Sequence, residues 1–215
     1  GLGGPDVISA TATVTYHSEK WSLRTVEGNV QQDVGEIHTA NLPWSARVED
    51  CGPGDARRHP PIKVDARKGD RGRLLIVGGG PYHGAPILAG LAAERSGCDL
   101  VHLAMPSEAI ERAEWPLSLI PEDIPDTTHI TTRSVAAILD RVLNGRGCQA
   151  VLIGPGLGRE SESIEAVCDL IERLVEANVP LVIDADAIRA LPSHEWPAGM
   201  VGVVTPHREE MAHWL

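Results

Sequence analysis

Four short stretches carry residue types suited to ligand chemistry, and each follows an apolar run. Asp184 and Asp186 come just after Leu181-Val182-Ile183. Carboxylates placed there hold sugar hydroxyls or a hydrated cation, or else cap a helix and face solvent. Gly154-Pro155-Gly156-Leu157-Gly158 comes after Val151-Leu152-Ile153. Such a loop lets bare backbone N–H groups at a helix N-terminus meet a phosphate or other anion, and serves equally as a tight strand–helix turn without ligand. Thr205-Pro206-His207-Arg208-Glu209-Glu210 follows residues 201–204. Here Thr205 reads as an N-cap, Pro206 as a first-turn residue, and Glu209 and Glu210 as complements to the helix dipole. His207, beside that N-terminus, either donates a hydrogen bond to a ligand oxygen or sits on the surface.

The fourth stretch is Gly78-Gly79-Gly80-Pro81-Tyr82-His83-Gly84-Ala85-Pro86, after Leu74-Leu75-Ile76-Val77. Gly78, Gly80 and Gly84 approach a dinucleotide fingerprint, with Asp99 at the distance of a ribose-binding acid. The detail fails: the third glycine comes one residue late, and Asp99 precedes the next strand instead of ending it. Gly84-Ala85-Pro86 reads better as the opening of a helix whose N-terminus faces a polar ligand. Lys68-Gly69 is either a phosphate contact or a solvated lysine. His59, His83 and His129 have no metal-ligand spacing.

These stretches need elements to hold them. Short apolar strands are expected at 74–77, 100–105, 150–153, 181–183 and 201–204, with helices over 87–96, 133–144 and 163–177 where apolar residues fall on one face. Continuous apolar strands alternating with helices predict an α/β fold with a mainly parallel sheet covered on both faces. Functional loops then gather at the carboxyl ends of the strands, and the four stretches line one crevice if the sheet order brings them together. Residues 106–125 read as irregular and Pro-rich. Residues 10–16 and 35–40 read as two strands of a β-rich beginning, too little for a domain. A Gly, Pro, Arg and His-rich arm follows, so the chain divides into 1–50, a linker over 51–67, and 68–215.

The 215 residues are 42% hydrophobic, enough for a real core built without a single Phe. A net charge of −11 argues against nucleic acid as a partner. No apolar run reaches the ~20 residues of a membrane span. Cys51, Cys98, Cys148 and Cys168 form no CxxC pair, which reads as reduced, mostly buried thiols of a cytoplasmic protein. The chain begins Gly1-Leu2-Gly3 without Met or a basic n-region, and so reads as cut from something longer, without a visible signal peptide.

Taken together, Lys68-Gly69-Asp70-Arg71-Gly72-Arg73, the Gly78 to Pro86 stretch, Gly154-Pro155-Gly156-Leu157-Gly158, Asp184-Ala185-Asp186-Ala187 and Thr205-Pro206-His207-Arg208-Glu209-Glu210-Met211 closely resemble the ADP-dependent NAD(P)H-hydrate dehydratases in order and spacing. Residues 1 to about 50, with Ala10-Thr11-Ala12-Thr13-Val14-Thr15-Tyr16-His17, Lys20 and Gly35-Glu36-Ile37, are similar to the tail of the NAD(P)H-hydrate epimerase domain fused ahead of the dehydratase in bifunctional proteins. Ser22 stands where that domain usually has glycine.

The resemblance implies a ribokinase-like fold preceded by a remnant of a Rossmann-like epimerase domain. It implies metabolite repair: ADP, with Mg2+, phosphorylates the hydroxyl of hydrated NAD(P)H, phosphate leaves, and NAD(P)H and AMP result. K+ would serve the epimerase part of the parent. It maps substrate contacts to Ala85, Gly156 and His207, to which the crevice adds Gly158 and Asp184. The family's Gly-Thr-Gly-Asp motif, with its catalytic Asp, is expected beyond Leu215, so this piece alone is expected to be inactive. The expected partners are NAD(P)HX and ADP, with no nucleic acid or membrane, in a homo-oligomer. A sugar or vitamin kinase of the same fold, or a non-catalytic nucleotide-binding module, are the alternatives.

Overall fold

Short runs of Val, Ile and Leu bounded by Gly and Pro give strands, and the strand pairs among the described residues are parallel. The computed structural model describes residues 10–16, 23, 29–30, 33–40 and 64–215. They fall in two units, Gly1–Lys63 and Val64–Leu215. The arm over 51–61, with Cys51 and His59, lies outside the described residues.

In the first unit, β1 (Ala12–Tyr16) pairs in parallel with β2 (Glu36–Ala40), from Ala12 opposite Glu36 to Tyr16 opposite Ala40. Thr13 Oγ1 donates to Val34 O at 2.6 Å. A parallel pair needs a crossover connection and is no hairpin.

The second unit is built on β3 (Arg73–Val77), β4 (Leu100–Met105), β5 (Leu119–Asp123), β6 (Ala150–Ile153), β7 (Leu181–Ile183) and β8 (Gly202–Val204). All are parallel, in the order β5-β4-β3-β6-β7-β8. The helices are α1 (Gly84–Arg95), α2 (Ser107–Glu111), α3 (Thr132–Leu143), α4 (Ser161–Glu176) and α5 (Arg208–Trp214). The segment 106–125, expected to be irregular, holds both α2 and β5. Its prolines misled: β5 is an edge strand with only β4 beside it, where Pro121 costs no ladder bond that a central strand would need. Helix α1 also starts at Gly84, three residues before the sequence-based expectation.

Residues opposite one another across parallel strands share a face. Leu75, Val77, Val151, Ile153, Leu181 and Ile183 form one apolar layer, packed with Val135, Ile138 and Val142 of α3 and Val167, Leu170 and Leu174 of α4. Ile76, Val101, Leu103 and Met105 form the other, with Ile87 and Leu91 of α1 against them. Fully burying each such side chain stabilises by about 1.5–3 kcal/mol. The second face is less covered towards β8, where Val203 is 54% exposed. Among the described residues no helix is long and apolar enough to cross a membrane.

Candidate functional site

The sheet ladder continues one step past each strand. Gly78 N donates to Ala104 O, Gly154 N to Val77 O, Asp184 N to Ile153 O and Thr205 N to Ile183 O, at 3.0–3.2 Å. Because β3, β6, β7 and β8 are neighbours, the loops after them stand in one row at the carboxyl edge.

The row is held by backbone touching backbone. Gly154 has φ 127, and a Cβ there would run into Asp184 O; Gly156 has φ 69, and a Cβ would run into Tyr82 O. Gly79 N donates to Pro155 O at 2.9 Å. Close approach between loops therefore explains these glycines before any ligand is invoked. The amide of Gly158 is already engaged: it donates to Asp186 Oδ2 at 3.2 Å, while Arg159 Nε reaches Asp186 Oδ1 at 3.4 Å. An internal carboxylate thus meets the end of the glycine loop. Asp184, at the start of the 3-10 turn Ala185–Ala190, makes no side-chain cap bond and instead accepts from Thr205 Oγ1 at 2.7 Å.

Thr205 is consequently not the N-cap of α5. That position belongs to His207, whose Nδ1 accepts from Glu209 N at 3.1 Å and Glu210 N at 3.3 Å. Glu210 returns the bond, its Oε2 accepting from His207 N at 2.9 Å, while its Oε1 lies 3.1 Å from His207 Nε2. The Glu three residues after the cap was the available sequence signal, for a capping box. Between the 3-10 turn and α5 lies an open cavity of about 520 Å³, with Arg159, Asp186, Arg189, Ser193, His207 and Trp214 on its wall. Of the expected substrate contacts only His207 lines it; Gly156, Gly158 and Asp184 lie along the row, and Ala85 is exposed in the first turn of α1.

Arg112 and Arg159 were not singled out from sequence. Arg112 Nη2 donates to Gly80 O at 2.6 Å and braces the first loop of the row. Lone arginines carry no sequence signal for such a role.

Lys68 and Asp99 sit at the opposite end of the sheet, before β3 and β4. Asp99 accepts from Gly69 N at 2.8 Å and Arg71 N at 3.1 Å and pairs with the Arg71 guanidinium at 2.5 Å. The Arg71 backbone bond leads in holding its carboxyl below the usual range, against the opposing pull of burial. This clasp ties the 67–72 loop and leaves no ribose-binding role for Asp99. His129 binds Glu162 at 2.9 Å. Among the described residues no three His, Cys, Asp or Glu are grouped to hold a metal ion. Cys98, Cys148 and Cys168 are free, and burial pushes the thiols of Cys148 and Cys168 up.

The fold is that of a parallel α/β protein, a class in which ligands bind in a crevice at the strand carboxyl ends. A ribokinase-like superfamily protein from Enterococcus faecalis has the same fold, with TM-score 0.54 and 21% identity over 72% of this chain and 51% of that one. The chain belongs to the Carb_kinase family, the NAD(P)H-hydrate dehydratases, whose family model matches residues 74–215. It is 39% identical over 212 residues to a bifunctional NAD(P)H-hydrate repair enzyme of Hyperthermus butylicus, covering 94% of this chain and 37% of that protein. An ADP/ATP-dependent NAD(P)H-hydrate dehydratase of Bacillus subtilis, co-crystallized with ATP/Mg2+, is 28% identical with TM-score 0.50, over 71% of this chain and 50% of that one. The chain therefore spans well under two thirds of the length of these relatives.

Proposed function

We propose that this chain carries the substrate-facing part of a dehydratase that restores hydrated NADH or NADPH to the reduced cofactor, using ADP and releasing AMP and phosphate. The observation that carries this is the unbroken row of contacts from Tyr82 to Gly156, from Gly154 to Asp184 and from Asp184 to Thr205. It gathers on one sheet edge four of the five motifs that resemble the dehydratases, all but the Lys68 to Arg73 stretch. Ala85, Gly156, Gly158, Asp184 and His207 are the substrate contacts in this reading.

Transfer of a phosphoryl group to the ring hydroxyl replaces hydroxide with phosphate as the leaving group. Positioning and electrostatic stabilisation carry most of the rate in such chemistry. The row supplies positioning: its glycines leave backbone within reach of a ligand, and its packing against neighbouring loops keeps it rigid. No residue of this chain is assigned as the general base. In this reading the magnesium ion is bound chiefly through the nucleotide phosphates.

Residues 68–215 are assigned to the dehydratase, 51–67 to a linker and 1–50 to the tail of an epimerase domain that uses K+. The parallel β1–β2 pair and a relative matched over 94% of the chain support the last assignment. The net charge of −11 supports small-molecule partners without nucleic acid, and a cytoplasmic homo-oligomer is proposed.

The test is a repair assay with hydrated NADPH, ADP and Mg2+, following the return of NADPH absorbance, on the full-length gene product beside the 215-residue chain. Activity in the full-length product alone is expected. Its failure with both ADP and ATP overturns the dehydratase reading in favour of a kinase or a binding module.

A further inference from the structure

The proposed substrate contacts are short of positive charge. Ala85, Gly156 and Gly158 offer backbone, Asp184 is an acid, and His207 carries no permanent charge. Hydrated NADH has a pyrophosphate bridge, and hydrated NADPH adds a phosphate at the 2′ position. The chain is at −11, so such an anion approaches against the field of the protein unless a cation stands at the site.

Arg112 stands on that edge. It closes the C-terminus of α2, its Nε donating to Glu108 O at 3.0 Å, and its Nη2 leaves the helix to reach Gly80 O at 2.6 Å. Strand-end loops meet at Gly80: a Cβ there would lie 2.9 Å from Leu157 O, after β6, and 3.5 Å from Thr128 O, after β5. The guanidinium is therefore pinned to the carboxyl edge of the sheet, on the loop that leads to Ala85. Two of its five N–H groups go to the carbonyls and three are unspent. Among the described residues no carboxylate pairs with it, whereas Arg159, which also touches the row, is taken by Asp186. Arg189, on the cavity wall, has no bond among the described residues to hold it. A planar fork already held in place loses little freedom when it takes a phosphate.

We propose that Arg112 is a phosphate-binding residue of the substrate site, a guanidinium preset by Gly80 O and Glu108 O to hold a phosphate of the hydrated cofactor. This rests on the reading of the strand-end row as the dehydratase site.

Arg112→Lys and Arg112→Gln separate charge from bracing, since both can still donate to Gly80 O and only Lys keeps the charge. In the full-length gene product R112Q is expected to raise KM for the hydrated cofactor roughly 10-fold, the loss of one charge-assisted contact. The fall in kcat should be smaller, KM for ADP should be unchanged, and R112K should recover most of the loss. The KM of wild type should climb more steeply with salt than that of R112Q, which a brace alone would not cause. A rise for hydrated NADPH and hydrated NADH alike identifies the pyrophosphate; a rise for hydrated NADPH alone identifies the 2′-phosphate. Equal KM in R112Q and wild type overturns the proposal, as does a rise confined to KM for ADP. An equal loss in R112K and R112Q also overturns it and leaves Arg112 as a brace. A full-length wild type that repairs neither hydrated cofactor overturns the functional reading itself.

Discussion

Thr205 Oγ1 donates to Asp184 Oδ1 at 2.7 Å, joining the loop after β8 to the loop after β7. A strand-end hydroxyl and a strand-end carboxylate, 21 residues apart in sequence, thereby set the spacing of two walls of the crevice. Thr205→Val keeps the shape and β-propensity of the residue and removes the donor. Because the pair is solvent-exposed, the expected cost is small, about 0.5–1.5 kcal/mol. Urea unfolding would show it as a modest fall in midpoint at unchanged slope, and the repair assay as a larger loss in kcat/KM than in stability.

Gly156→Ala is expected to be severe. A Cβ would collide with Tyr82 O at a backbone φ of 69, so both strain and displacement follow. A cost of about 2 kcal/mol or more is expected. Gly84→Ala is the control: nothing lies within 4 Å of its Cβ position and it begins α1. That variant should be neutral or stabilised by up to about 1 kcal/mol. Equal losses in the two variants would refute the backbone-contact account of the glycine loop.

Asp126 is buried and gathers Thr131 N, Thr131 Oγ1 and Ser134 Oγ at 2.5–2.8 Å, fastening the start of α3. Burial opposes its ionisation, but the Ser134 and Thr131 bonds together outweigh it and hold its pKa below 3.8. A depressed acid contributes stability above the unfolded value and loses it as pH falls through the folded one. Asp126→Ala should cost about 2–3 kcal/mol near neutral pH, the desolvation of donors left unpaired. The difference between variant and wild type should shrink only below about pH 4. A gap that is flat down to the acid transition would count against this role.

His102 shifts stability in the same direction, in a higher pH range. Under α3 its Nδ1 lies 2.5 Å from Glu122 Oε1, and its Nε2 takes an N–H of Arg141 at 2.6 Å. A neutral ring satisfies both neighbours; a second ring proton would face the guanidinium. Burial first, and the Arg141 charge after the opposing Glu122 bond, hold its pKa below 6.5. The unfolded chain therefore binds more protons just below pH 6.5, and stability should fall as pH drops from about 6.5 towards the folded value. Chemical denaturation at several pH values should show this slope, and His102→Gln should flatten it. A slope of the same size in the variant would place its origin elsewhere.

The amino-acid sequence alone determined much of this. Apolar runs such as Leu74-Leu75-Ile76-Val77, continuous because both faces are covered, identify strands and a parallel α/β class from local pattern. The motif spacing identified the family, since chemistry at strand ends depends on short contiguous stretches. Tertiary structure decided what depends on distant partners. Only the sheet order makes the Gly78, Gly154, Asp184 and Thr205 loops neighbours. The approach of Tyr82 O to Gly156 and the occupation of the Gly158 amide by Asp186 are long-range contacts with no local signature. Pro121 stands in a strand because the sheet ends there, and Asp99, which the sequence already places before β4, is taken up by the clasp on Arg71. A residue's type limits the bonds it can make; which of them it makes depends on what the rest of the chain brings within about 3 Å of it.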